Sequence, residues 1–364
     1  MNPVSMLLRL LLRALVFFPT AELCLAFLLP LFIALAISSV AQSGNHVEDA
    51  IRAGQSALDK DDFLRAVQEF ERGRQLSPEN LEVNRGLVLS YLQAGRPIDA
   101  QRVAEAAVRQ WPRDAQLQHW LGLAYFKQGQ HENALQALRR SEGLNSSRSD
   151  IHFDIALVQL SIDRYPEAAE ELEKAIKLDP KAALPHILLG RSYQNTNRTL
   201  QAIEQFQAAL RLDPNIPLGH YHLGFAYASL GRNREAIAEY RKEASGAPQS
   251  PAVLYQLGHC ELEAGEWKSA VEHLQNAVRL DSGNSDSAYD LGKALLSAGD
   301  AEGAIPALRK AAELKPDSPD PHYQLARALA KAGQKQQAQE ELQIFAELKK
   351  AQPATGGMAA GPVH

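Results

Sequence analysis

Four histidines, His152, His186, His220 and His322, stand at multiples of 34 residues from one another. Imidazole is a common metal ligand, so a periodic ladder of imidazoles raises a metal reading. Four tyrosines keep the same interval: Tyr221, Tyr255, Tyr289 and Tyr323. Four residues after each stand Phe225, His259, Lys293 and Arg327, and Arg191 holds the same place one interval earlier. Tyrosine and arginine are side chains that interfaces favour for their energy, and a cation can clamp a carboxylate. The candidate chemistry is therefore binding. Nothing accompanies these residues that would make or break a covalent bond. There is no Gly-rich phosphate loop after a strand, no H-E-x-x-H, no G-x-S-x-G and no nucleophile beside a recognisable base.

The interval itself must come from the elements that carry these side chains. An alanine recurs at 66, 100, 134, 168, 202, 236, 270, 304 and 338, with no insertion or deletion between steps of 34. A period in this range signals a solenoid. The stretch Ala183–Ile216 shows the unit clearly, with Leu189, Gly190, Tyr193, Ala202, Phe206, Ala209 and Pro214 as its recurring points. This pattern resembles the tetratricopeptide repeat. With Ala183 as position 1, nine units of 34 run from Val47 to Gln352.

The resemblance implies an all-α, right-handed superhelical solenoid of helix-turn-helix repeats. Helix A is expected over positions 2–14 and helix B over 18–31. Local residues agree. Position 15 is Gly95, Gly129, Gly231, Gly265, Gly299 or Gly333, and Asn197 in the fifth repeat. These residues tolerate the left-handed conformation that ends a helix. Asp61 and Asp163 suit it less, so their turns are expected to differ. Proline at position 32, as in Pro78 and Pro214, cannot continue helix B. Glycine at position 8 (Gly54, Gly122, Gly190, Gly224, Gly258, Gly292) is expected to face the alanine of position 20. Phe345 replaces the small residue of position 27 in the last repeat, which reads as its own C-terminal cap.

In proteins of this kind helix A lines the groove, with positions 2, 5, 9, 12 and 13 facing inward. The resemblance thus makes Arg191, Tyr221, Phe225, Tyr255 and His259, together with Tyr289, Lys293, Tyr323 and Arg327, a candidate protein-binding groove. Its first half is apolar, with Leu89, Leu123 and Leu157 at position 9. The plainer alternative is that the tyrosines are filler and that Asp286 and Asp320 neutralise Lys293 and Arg327. The family's chaperone-binding pairing, lysine at position 5 with asparagine at position 9, occurs in no repeat; Arg85 with Leu89 comes nearest. The histidine ladder lies at position 4. Stacked equivalents stand at least about 8–10 Å apart, whereas zinc ligands sit about 2 Å from the ion. One ion therefore joins no two rungs unaided, and packed rings in place of the family's aromatic residue are the expectation. No metal or cofactor is expected.

The remaining features bound the class. Formal net charge is −5, which argues against a general nucleic-acid binder. The two cysteines, Cys24 and Cys260, support no disulfide framework, and Cys260 reads as a core thiol at position 10. Residues 1–41 carry Arg9 and Arg13, then 18 uncharged residues from Leu23 to Val40, then Ala41 in the place of a cleavage site. They read as a signal peptide or a membrane anchor, with the repeats exported in either case. Residues 42–46 read as a linker and 353–364 as a disordered tail. Two sequons, at Asn145 and Asn197, fall in expected turns. The expected function is a non-enzymatic scaffold holding a protein segment, exported or membrane-attached. The alternatives are a self-associating structural component and an accessory subunit of an envelope complex. No small-molecule substrate is expected.

Overall fold

The computed structural model describes residues 46–247 and 249–351. The expectations for 1–41 and for 353–364 lie outside the described residues. Eighteen helices and no strand occur among the described residues. They are α1 (46–58), α2 (Phe63–Leu76), α3 (Leu81–Gln93), α4 (Pro97–Gln110), α5 (Ala115–Phe126), α6 (His131–Leu144), α7 (Ser149–Leu160), α8 (Tyr165–Leu178) and α9 (Ala183–Asn195). Then follow α10 (Thr199–Leu212), α11 (Gly219–Ser229), α12 (Asn233–Gly246), α13 (Pro251–Glu263), α14 (Trp267–Leu280), α15 (Ser285–Ala298), α16 (Ala301–Leu314), α17 (Pro319–Lys331) and α18 (Lys335–Ala351). Odd-numbered helices are the first of each repeat and even-numbered ones the second. Each second helix opens at position 17, one residue earlier than expected.

The turn between the two helices is the same in every repeat. Position 15 has positive φ throughout, including Asp61 at 56°, Asp163 at 58° and Asn197 at 58°. The expectation that the aspartate turns differ is therefore corrected. The reason is the hydrogen bond that follows. In all nine repeats the position 16 N–H donates to the position 11 carbonyl, at 2.8–3.0 Å. That bond closes a Schellman-type C-cap, and it demands a left-handed residue whatever its side chain. Position 34 adds a cap that the sequence reading overlooked. Asn80, Asp114, Ser250 and Asn284 accept from an N–H in the first turn of the next helix.

Small residues set the packing of each pair, and the side chain they meet is not the expected one. A Cβ on Gly190 would lie 2.5 Å from the Phe206 ring, one on Gly122 2.6 Å from Leu138, and one on Gly292 2.3 Å from Leu308. All three of these partners are at position 24, and the position 20 backbone is close as well: a Cβ on Gly122 would lie 3.2 Å from the Ala134 carbonyl oxygen and one on Gly258 3.3 Å from that of Ala270. Repeat two supports the same pairing in reverse: Ala104 stands at position 24 there, Val88 fills position 8, and both are fully buried in one cluster. The position 20 alanines are still core residues, at 0–5% exposure.

Contacts divide the chain into two units, Met1–Val158 and Gln159–His364. Within the second unit each first helix touches the first helix of the next repeat, α9 on α11, α11 on α13, α13 on α15 and α15 on α17. Successive second helices have no comparable contact. Closer approach on one side bends a stack toward that side, so the first helices line the inner side of this unit. Register between repeats is held at positions 25 and 11. The Tyr193 hydroxyl donates to Glu173 at 2.6 Å, and Gln207 Nε2 donates to Tyr227 at 2.9 Å. Arg198 and Arg232 lie over those tyrosine rings at 4.1 and 4.5 Å. Between repeats six and seven the signs are exchanged. Arg241 is at position 25 and donates to Glu261 at position 11, at 2.8 Å.

Candidate functional site

Positions 2, 5 and 9 are spaced i, i+3 and i+7, so they share one face of a first helix that has begun by position 2; in the sixth repeat Leu218 stands just before its helix. All nine candidate groove residues belong to the second unit, on its inner side. Arg191, Phe225, Tyr323 and Arg327 are exposed, while Tyr221, Tyr255, His259, Tyr289 and Lys293 are half-buried. Placement follows the expectation; chemical freedom does not. In α15 the Lys293 ammonium lies 5.5 Å from the centre of the Tyr289 ring. It is also 3.7 Å from Asp290 and 3.5 Å from Glu263. In α13 the His259 ring packs on Tyr255 at 5.9 Å, and its Nδ1 donates to Asp290 Oδ2 at 2.7 Å. Asp290 is only 4% exposed, so this carboxylate is held between the His259 imidazole and the Lys293 ammonium. Its hydrogen bond raises the pKa of His259 above the ordinary imidazole value. Burial, then the charge of Asp290, pushes the Tyr255 hydroxyl up to about 12.

The acids proposed as neutralisers are not the ones used. Asp286 pairs with Lys315 at 2.6 Å, leaving Lys293 to Asp290 and Glu263. Arg327 donates to Gln324 Oε1 at 2.8 Å and lies 6.0 Å over Tyr323. Asp290 was missed because position 6 carries mixed residue types, from Trp120 and Leu188 to Asp154 and Gln324. The available signal was a carboxylate next to apolar Leu291 and two residues after Ala288.

The fifth and sixth repeats are arranged differently. Arg191 is exposed and makes neither an ion pair nor a side-chain hydrogen bond among the described residues. Phe225 is exposed beside it in the next repeat. Below them, His222 stacks on Phe206 at 5.5 Å and meets Tyr221 edge-on. Burial first, and the Arg191 charge second, push His222 down to about 4. Tyr221 packs on Tyr240 at 5.8 Å, and the Tyr240 hydroxyl is buried with no hydrogen-bond partner among the described residues.

The histidine ladder ties helices together. His186 Nδ1 meets Gln205 at 2.8 Å, and His220 and His322 each donate from Nδ1 to Glu239 and Glu341 at 2.6 Å. Each partner is at position 23 of the same repeat, so these three rings pair across the helix hairpin and not along the stack. The fourth, His152, is buried, and its Nδ1 lies 3.6 Å from Glu142 of the preceding repeat, along the stack. In all four a ring nitrogen has a protein partner, where the expectation left it to water. Cys260 is a buried core thiol whose burial pushes it up to about 11.

Comparison with known proteins agrees with this architecture. Family models described as tetratricopeptide repeat match residues 187–251 and 255–319, and a further one matches 295–352. A model described as anaphase-promoting complex, cyclosome, subunit 3 matches residues 98–175. The chain is a tetratricopeptide-repeat protein. It is similar to a superkiller complex protein 3 of Mus musculus, 32% identical over 110 residues, covering 28% of this chain and 7% of the relative. It is also similar to a peroxisomal targeting signal receptor of Saccharomyces cerevisiae, 25% identical over 170 residues, covering 44% of this chain and 28% of that one. The chain therefore spans less than a third of the length of either relative. A solved structure, the C-terminal part of a TPR repeat-containing protein from Cytophaga hutchinsonii, matches with TM-score 0.54 and 18% identity, covering 66% of this chain and 99% of that chain. Such a fold serves as a protein-interaction scaffold.

Proposed function

We propose that this chain is a non-enzymatic scaffold that holds an extended segment of a partner protein against the inner, first-helix side of its second unit. The observation that carries this reading is the row of exposed side chains there, Arg191, Phe225, Tyr323 and Arg327, on helices whose other faces are buried. Tyrosine, phenylalanine and arginine supply large contact areas and charge-assisted hydrogen bonds at little entropic cost. The printed name of the yeast relative, a targeting signal receptor, is consistent with such a role. Location is part of the proposal: Arg9, Arg13 and the apolar stretch Leu23–Val40 direct export or membrane attachment of the repeats. Among the described residues no helix is long and apolar enough to cross a membrane, so the proposal rests on 1–41 alone.

The test is a photo-crosslinking amino acid placed at Phe225 and, as a control, at Leu200, a 65% exposed residue on a second helix. Adducts to another protein from position 225 and none from 200 support the reading; adducts from 200 alone sink it. N-terminal sequencing of the protein recovered from membrane and exported fractions checks the location.

A second reading, self-association, has one observation in its favour. Leu342 is 44% exposed, whereas its position 24 equivalents Leu138, Phe206, Leu274 and Leu308 are fully buried. The last repeat thus leaves apolar surface open, and Phe345 packs on Tyr323 at 5.3 Å instead of sealing it. Mass by light scattering at several concentrations separates this reading from the first.

A further inference from the structure

The inner side of repeats five and six has a composition found nowhere else in the second unit. Position 2 holds Leu184 and Leu218, and position 9 holds Arg191 and Phe225. Leu184, Leu218 and Phe225 are 50%, 49% and 43% exposed. In the next three repeats position 2 holds Ala252, Asp286 and Asp320, and position 9 holds His259, Lys293 and Arg327. Arg191 is exposed with no carboxylate partner among the described residues, while His259 and Lys293 already share Asp290. An uncompensated guanidinium beside apolar surface favours one class of ligand, an anion with an apolar neighbour.

Two local features keep the place open. Leu218 has φ +61°, a left-handed geometry unfavourable for leucine, and it precedes α11 instead of joining it. Leucine has no capping oxygen, so Glu243 Oε2 accepts from the Tyr221 N–H at 3.1 Å in its stead. The Glu243 carboxylate is thereby occupied at the helix start. His222, stacked on Phe206 of α10, is neutral at neutral pH, so it adds no second positive charge beside Arg191.

Touching helices run with axes about 8–10 Å apart and an extended chain advances about 3.3 Å per residue, so the two position 9 side chains are bridged by about three residues of such a chain. We propose that repeats five and six bind an extended segment of a partner protein carrying a carboxylate and a bulky apolar side chain about three residues apart, the carboxylate on Arg191 and the apolar group on Phe225 and Leu218. This rests on the scaffold reading above and names the partner's chemistry.

The experiment selects peptides from a random phage-displayed library on the full-length chain held in detergent. The selected peptides are then made synthetically and titrated by fluorescence anisotropy. The expected motif is Asp or Glu about three residues from Phe, Trp, Leu or Ile. Arg191→Gln and Phe225→Ala should each weaken binding about tenfold or more, the loss of one charge-assisted bond or one aromatic anchor. Lys268→Gln, at an exposed cation on the second helix α14, should leave it unchanged, and circular dichroism checks that all variants keep their helicity. Selected peptides that lack the pair, or that respond to Lys268→Gln and not to Arg191→Gln, overturn this inference while leaving the scaffold reading intact. Selection of no peptide at all overturns both.

Discussion

Arg191 and Lys293 occupy the same repeat position three repeats apart, and their surroundings are opposite. Lys293 lies over a tyrosine, within 4 Å of Asp290 and Glu263. Arg191 has no such partner among the described residues, and its charge only adds to the burial that already holds His222 neutral. The two regions share a backbone and a face, so the difference lies in two carboxylates, Asp290 and Glu263, whose places around Arg191 are taken by Leu188 and Ser161. A repeat position therefore tells where a side chain points and not whether it is free to bind. An ion pair formed within the protein has already lost most of its attraction for an outside ligand.

The largest effect that would sharpen this contrast is expected from Phe206→Ala. The ring fills the space under Gly190 and stacks on His222. Its loss should cost about 3–5 kcal/mol by denaturant unfolding, and an NMR titration should find His222 moved up toward the ordinary imidazole value. Next comes overpacking: Ala202→Leu should cost about 1–3 kcal/mol, since Ala202 is fully buried. An unchanged melting temperature would count against tight packing in repeat five.

Asp290→Asn is expected to erase the contrast from the other side. It leaves His259 and Lys293 without their shared partner, so the His259 pKa should fall, and the seventh and eighth repeats should acquire affinity for the acidic peptides selected on repeats five and six. If His259 titrates unchanged, its hydrogen bond to Asp290 does not hold in solution.

Acidification should move the two regions in opposite directions. His222 is held near 4, below its unfolded value of 6.5, so its neutral form contributes stability above 6.5 that is lost as pH falls toward 4. His259 is raised above 6.5, so its contribution is complete below 6.5 and is lost as pH rises through the folded value. Between pH 7.5 and 5, amide exchange should therefore quicken around His222 relative to the amides around His259. A uniform change along the second unit would contradict both assignments. The smallest effect is Tyr240→Phe. Removing a buried hydroxyl that has no partner should raise stability by about 1 kcal/mol, measured by the same unfolding assay.

Much of the fold was legible because period and residue size are local properties. The recurring alanine, the glycines of position 8 and the punctuation at positions 15 and 32 specify helix, turn and helix with no knowledge of neighbours. Even so, the aspartate turns were misjudged from side-chain preference, because the 16-to-11 hydrogen bond outweighs it. Position 8 was matched to position 20, whose backbone does approach it, but the side chain of position 24 that fills the space was not foreseen, because sequence shows which residues are small and not which large side chain reaches them. The candidate binding residues were those the family resemblance places in a groove, and all nine lie on the expected helices. Their pairing was not found. Asp286 looked like the neutraliser of Lys293 by spacing alone, and it bonds Lys315. The exposed leucines 184 and 218 stand at position 2, expected to face the groove, but were not among the candidates because only positions 5 and 9 were followed residue by residue there.

The sequence alone determined the unit, its length of 34 residues, its register and the face on which each residue falls. Those follow from backbone geometry, which repeats whenever small and large residues repeat. Only the tertiary structure decided which charges cancel and which stay available. That depends on distances of a few ångströms between side chains on neighbouring helices, and no spacing along the chain encodes them. Asp290 lies 2.7 Å from His259 across 31 residues of sequence, and Arg191 has no counterpart at that distance among the described residues.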